Sequence, residues 1–410
     1  MGTNIGKIPI RLLFLFEILS LSLIFIYRWD NLDFNTFATG IGLVLLVYFS
    51  NSFLRKISSG DHYIFLIVSM MFSIGLIMIF RISSDLGIKQ LLWLLIGIGV
   101  FFASYFLVKK IEFWDKMILV YLGAAYGLFA MTFILGARLR GAINWISIGG
   151  VSFQPAEVTK IALIFFLASY YYNIEKYSKN KYSEWIVMGI VYSYIGLLFL
   201  QRDLGTALIF FGIYTGLQYI YCNGRRYEIA NLSLALLGGS LGYILFDHVK
   251  IRVLTWLNPW PYINDKGYQI TQSLFAIAEG SYFGTGLGRG NPSFIPLSYN
   301  DFIFSSISEE MGVFTGIGVI MLFVLLVYRG FKIALLQNHK FYRIVAIGIS
   351  LMFGLQAFII IGGAIKVIPL TGLTLPFISY GGSSIVSSFL ALGILQGASE
   401  KVVKEDETYE

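Results

Sequence analysis

Long apolar runs broken by short polar segments set the pattern of this chain. An α-helix rises ~1.5 Å per residue, so ~20 apolar residues cross the hydrocarbon core of a bilayer. The runs predict twelve spans, at about 10–27, 35–53, 63–80, 88–107, 117–136, 156–173, 186–201, 203–222, 229–247, 302–328, 342–364 and 376–397. The two around 186–222 are separated only by QRD. The expected fold is therefore an all-α polytopic membrane protein: an N-terminal hairpin (1–57), a core (58–400) and a tail (401–410). The first run lacks a small-residue cleavage site and reads as a retained span. The tail KVVKEDETYE is short and acidic, which predicts disorder.

Composition agrees. The chain is 57% hydrophobic and 13% charged, with mean hydropathy +0.75, where soluble domains carry about 25% charged residues. Basic residues exceed acidic ones, 30 to 23. On a membrane protein that excess belongs to cytoplasmic loops and anionic lipid, not to nucleic acid. Lys109–Lys110 and Arg225–Arg226 fall on one side, and the positive-inside rule then predicts that both termini are cytoplasmic. A lone Cys222 excludes an intrachain disulfide, and His62, His248 and His339 are isolated, without metal-ligand spacing.

Two segments on the predicted outer side are too long to be plain connectors: 137–156 and the Gly-, Pro- and Asn-rich 248–301. Within the second, 267–280 has helical spacing of apolar positions, with Gln269, Gln272 and Ser273 on another face, and predicts a short interfacial amphipathic helix. The glycines of GSYFGTGLGRG (280–290) follow no strand and lack the P-loop Lys-Ser/Thr, so they predict a loop folded tightly on itself, not a nucleotide site.

Chemistry concentrates on the same side. In QPAEVTK, Pro155 suits a first helical turn and puts Glu157 and Lys160 on one face at i and i+3. They read either as a structural ion pair or as a cation for an anionic substrate group, held by its acid. In QRDLGT, Arg202 and Asp203 lie between two apolar runs, as a functional pair or a snorkelled turn. Arg138, Arg140 and Trp145 fit a phosphate-and-sugar ligand and equally an interfacial belt. Asn300 predicts an N-cap that places Asp301 in a first helical turn. Glu309 and Glu310 follow deeper in the same apolar run, where carboxylates face a protein interior or a polar cavity.

These segments, with NPWPYINDKGYQITQSLFAIAEG (258–280) and PFISYGGSS (376–384), resemble in order the SEDS proteins: the shape, elongation, division and sporulation family, which includes RodA and FtsW. The resemblance runs from about residue 63 to 400. It implies a ten-helix glycosyltransferase core that polymerises lipid II into peptidoglycan outside the plasma membrane, with a class B penicillin-binding protein and other elongation or division proteins as partners. By the family's motifs, Asp301 is the essential aspartate, and Gln154, Glu157, Lys160, Gln201 and Asp203 are motif positions. Ala156, Arg202 and Asn300 depart from the family's usual Ser, Pro and Thr. The hairpin before residue 58 is surplus to the ten-helix core and resembles an extension of RodA-like members, favouring the elongation branch over division or sporulation. Glu17 within it is an isolated acid.

The implied reaction inverts an α-linked donor into a β-1,4 glycan, so one displacement and one base suffice. Asp301 is the expected base for the acceptor hydroxyl. Lys160, Arg138 and Arg140 are the expected cations for the departing undecaprenyl pyrophosphate, with a divalent cation (Mg or Mn) bridging its oxygens as an expected aid. Gln269, Gln272 and Glu309 are expected to line the site. A lipid II flippase is the competing class, and would need polar residues facing both sides of the membrane.

Overall fold

The computed structural model describes residues 8–27, 34–139, 142–149, 151–177, 179–222 and 224–406. Fifteen helices run through them. The first six are α1 (Ile8–Tyr27), α2 (Phe34–Ile57), α3 (His62–Ile82), α4 (Ser84–Lys110), α5 (Ile118–Leu135) and α6 (Pro155–Tyr172). Then come the short α7 (Ile174–Tyr177), α8 (Ser183–Leu200), α9 (Leu204–Tyr221), α10 (Arg225–Leu245), α11 (Asp247–Leu257), α12 (Tyr268–Gly280), α13 (Ile303–Leu336), α14 (Lys340–Ala364) and α15 (Gly382–Asp406). Eleven of the described helices are long and apolar enough to cross a membrane. The remaining predicted span is α6, a full 18 residues whose side chains are nearly all buried, Glu157 and Lys160 included. It is the polar-bearing central helix, with α5, α14 and α15 among its packing neighbours.

The first long loop carries regular structure that the sequence did not predict: β1 (Ala137–Leu139), β2 (Ala142–Ile148) and β3 (Val151–Phe153) pair as a small antiparallel sheet in that order. Two expectations need correction. The last span begins at Gly382, not near 376, because 376–381 is a turn segment in which Phe377 has φ +65°. The tail is helical in backbone through Asp406, so only 407–410 fall outside the described residues.

The N-terminal hairpin docks on α3 through buried polar contacts. The Ser73 hydroxyl donates to Glu17 at 2.6 Å, and the Asn51 amide donates to Ser69 at 2.9 Å. In an apolar medium such pairs satisfy groups that lipid would leave bare, and one oxygen of the isolated acid of α1 is satisfied in this way. At the end of the bundle where α2 leads into α3, Lys109 pairs with Glu400 at 2.6 Å and Arg329 with Asp61 at 3.2 Å. The opposite end gathers the small sheet, the α8–α9 turn, α11, α12, the 281–302 loop and the 365–381 segment.

The longest helix, α13, is broken. Gly312 has φ +84° and ψ +166°, far outside helical values. The break frees backbone groups on both sides, and the glycine loop takes them. Thr285 and Gly286 donate to the carbonyls of Glu309 and Glu310 at 2.9 and 3.0 Å, while Val313 and Phe314 donate to Ser281 and Tyr282 at 2.9 and 3.3 Å. Irregular backbone at membrane depth persists only where protein satisfies it in this way. A Cβ on Gly312 would lie 2.4 Å from the Tyr282 carbonyl, so glycine is required there.

Candidate active site

Asp301 lies just before α13, not within its first turn: the cap position is Phe302, and the first helical residue is Ile303. Asn300 does not cap the helix. Its carbonyl accepts the Ser379 hydroxyl at 2.7 Å, and the Tyr380 N–H donates to the Tyr299 carbonyl at 2.9 Å. The residues before Asp301 are thereby tied to the 365–381 segment. This places Asp301 in the wall of a cavity of about 600 Å³, in the size range of small-molecule sites.

The rest of the wall comes from distant parts of the chain. Helix α11 supplies His248, Arg252, Thr255 and Trp256. Around the start of α12 come Lys266, Gln269 and Ile270; Leu297 precedes Asp301; and Gly363, Lys366, Ile368 and Leu370 close the far side. Asp301 is the single carboxylate among these lining residues, against Arg252, Lys266 and Lys366. Burial pushes the His248 imidazole below its usual range, helped by Arg252 and Arg202 and opposed by Asp247, so it is neutral near pH 7. Arg252 is anchored by donating to the Thr371 carbonyl at 2.8 Å. Burial lowers its pKa, while Asp301 and Asp203 favour its charged form.

The predicted site residues divide into three groups. Asp301 and Gln269 share the cavity. Lys160 does not reach it: the residue is 1% exposed, and its ammonium donates to Glu157 and to Gln356, both at 3.0 Å. Its charge is matched by Glu157, and it is not among the cavity-lining residues. Glu157 in turn accepts the Ser387 hydroxyl at 2.7 Å, and the Gln356 amide donates to the Thr374 carbonyl at 2.9 Å. The pair therefore buttresses the 365–381 segment from beneath. Gln154 donates to Asp203 at 3.0 Å, and Asp203 caps α9 by accepting from the Thr206 N–H, also at 3.0 Å.

Glu309 and Glu310 are also outside the cavity wall. Glu309 accepts from the Asn291 N–H at 2.6 Å, and Glu310 accepts from Gly288 N–H at 2.8 Å while pairing with Arg81 at 3.0 Å. Both hold the glycine loop against the break in α13. Gln272 is half-buried on α12 and is not in the lining. That helix is not free at an interface: Thr271, Ser273 and Gly280 are buried, and the Ser273 hydroxyl meets Ser305 at 2.6 Å and Ala364 carbonyl at 2.9 Å. Trp145 is half-buried on β2, opposite Ala137. The side chain of Arg138 and the whole of Arg140 lie outside the described residues.

Comparison with known proteins adds the family. A model for FtsW, RodA and SpoVE, described as "Cell cycle protein", matches residues 61–404. The chain belongs to this family. Its match begins just after the hairpin, so α1 and α2 lie outside the FtsW/RodA/SpoVE core. Among family relatives, Stage V sporulation protein E of Bacillus subtilis is 34% identical over 84% of this chain and 98% of its own length. Peptidoglycan glycosyltransferase RodA of Mycobacterium bovis is 31% identical over 87% of this chain and 82% of its own. A solved structure reported as "Structural coordination of polymerization and crosslinking by a peptidoglycan synthase complex" has TM-score 0.70 and 25% identity, covering 86% of this chain and 99% of that one. The crystal structure of Thermus thermophilus rod shape determining protein RodA has TM-score 0.63 at 23% identity over 86% and 98%, a likeness of fold.

Within this family frame, the departures Arg202 and Ala156 both lie outside the cavity lining. Arg202 sits exposed at the α8–α9 turn with φ +63° and lies over the Phe246 ring at 5.8 Å, not in the cavity. Ala156 is buried in the first turn of α6. The cavity cations Arg252, Lys266 and Lys366 were missed by sequence reasoning. The available signal was the spacing of His248, Arg252 and Thr255 on one face of an unrecognised helix.

Proposed function

We propose that this multi-pass membrane protein polymerises lipid II into peptidoglycan glycan strands, with Asp301 as general base. The observation that carries the reading is one carboxylate in the wall of a cavity whose other charged lining residues, Arg252, Lys266 and Lys366, are all basic. The 4-hydroxyl of the acceptor sugar attacks the anomeric carbon of the donor. Asp301 takes the hydroxyl proton, the bond to the diphosphate oxygen breaks, and undecaprenyl diphosphate leaves with inversion. A positioned base contributes ~10²–10⁴-fold. Relatives named as peptidoglycan glycosyltransferases support this activity.

The remaining assignments are part of the same proposal. The cavity end faces outward and both termini are cytoplasmic, following the basic residues of the short opposite loops. A class B penicillin-binding protein supplies the crosslinking step, which agrees with a structural relative described as coordinating polymerization with crosslinking. The hairpin favours the elongation branch. Among the described residues, no group of three His, Cys, Asp or Glu side chains is arranged to hold a metal. Asp301 would be the single carboxylate in the cavity wall available to hold a divalent cation, which would supply charge neutralisation for the leaving diphosphate.

The test uses the purified full chain with its transpeptidase partner and lipid II. Asp301→Asn should lower glycan synthesis by at least about 10²-fold while the protein stays folded. Synthesis near the wild-type rate would remove Asp301 as the base, and lipid II transfer across vesicles without glycan product would favour a flippase.

A further inference from the structure

Lys366 holds a backbone conformation that a lysine rarely adopts. Helix α14 ends in a Schellman motif: Val367 N–H donates to the Gly362 carbonyl at 2.7 Å, and Lys366 N–H to the Gly363 carbonyl at 3.3 Å. The residue after the cap in that motif is left-handed and usually glycine. Here it is Lys366, with φ +60°. Glycine would fit without the steric cost that a Cβ brings at positive φ. The strained turn is clamped, since the Trp256 indole N–H donates to the Lys366 carbonyl at 3.2 Å. Leu297, in the same cavity wall, also has φ +60°. A strained conformation that is clamped in place at a cavity wall points to a use for the side chain it places there.

Charge gives that use. Lys366 lines the cavity with Arg252 and Lys266, and Asp301 is the only acid in the lining. Three cations from three separate segments facing one base suit a ligand with several negative charges beside a neutral hydroxyl. Lys160, the cation expected from sequence, is sealed off.

We propose that Lys366, together with Arg252 and Lys266, forms a diphosphate-binding wall for the lipid-linked sugar, and that lysine is kept at the left-handed position for its charge. The lipid-linked identity of the ligand rests on the polymerase reading; the preference for a diphosphate does not. A simpler role exists for a lysine at a helix C-terminus, namely to oppose the helix dipole. The two roles differ in what Lys366→Gly does. A dipole role costs stability and leaves ligand binding alone. A ligand role leaves stability unchanged or raised, because glycine relieves the strain, and weakens binding.

The experiment measures binding of farnesyl diphosphate and farnesol to the purified full-length protein, with thermal stability recorded for each variant. Wild type should prefer the diphosphate. Lys366→Gly should bind it at least tenfold more weakly, with unchanged affinity for farnesol and no fall in Tm, and Lys366→Arg should retain most of the affinity. Lys266→Gln, outside the strained turn, should weaken diphosphate binding in the same sense. Wild type that does not distinguish the two probes overturns the proposal, as does Lys366→Gly with unchanged diphosphate affinity. Neither readout needs turnover, so a protein that binds diphosphate through Lys366 yet makes no glycan when supplied with lipid II and its transpeptidase partner would refute the polymerase reading alone.

Discussion

Asp301 lies in close quarters with Arg252, and Gly372 marks how close. A Cβ built on Gly372 would lie 3.1 Å from Arg252 Nη2 and 3.8 Å from Asp301 Oδ2, and its φ is +76°. Gly372→Ala should therefore cost about 1–2 kcal/mol of stability from backbone strain. It should also reduce glycan synthesis by more than that loss explains, because the methyl presses on the guanidinium. Parallel melting and polymerisation assays check this, and unchanged activity would show that Arg252 need not hold its position. At this scale the sequence singled out Asp301 and, among the expected lining residues, Gln269, and both lie in the cavity wall. It did not reveal Arg252, Lys266 or Lys366, since surface-type residues on three separate segments carry no mark of a shared cavity.

At the scale of elements, the same residue types take opposite roles according to which helix holds them. Glu157 and Lys160 of α6 satisfy each other in the protein interior and carry the 365–381 segment through Gln356. Removing one partner of such a pair strands a charge, so Lys160→Met should destabilise by about 3–5 kcal/mol, while Lys160→Met with Glu157→Leu should recover much of the loss. Unfolding measurements on both variants decide the matter. Full stability with lost activity would instead return Lys160 to a substrate-contact role. The ion pair at i and i+3 was legible from spacing. Whether it faced substrate or core was not, because that depends on α14 and α15 packing over it. Likewise the apolar run of α13 announced a helix, but its break at Gly312 is stabilised by a loop some thirty residues earlier.

For the whole molecule, the unusual chemistry collects at one end of the helical bundle, and the proposed orientation puts that end outside the cell. Single cysteines replacing Tyr282, in the exposed glycine loop, or Lys110, at the opposite end of α4, test it in a Cys222→Ala background. A membrane-impermeant thiol reagent on intact cells should label position 282, and position 110 only after permeabilisation. The reverse pattern would place the cavity on the cytoplasmic side and rule out an outer-face polymerase. The sequence by itself determined the class of molecule and nearly every span, because bilayer thickness demands about 20 apolar residues wherever a helix crosses. It also identified the family, through short motifs that survive as local strings. Only the tertiary structure decided which acids and cations meet. That decision depends on helices from distant segments packing together, which left Asp301 facing the cavity and closed Glu157, Lys160, Glu309 and Glu310 inside the protein.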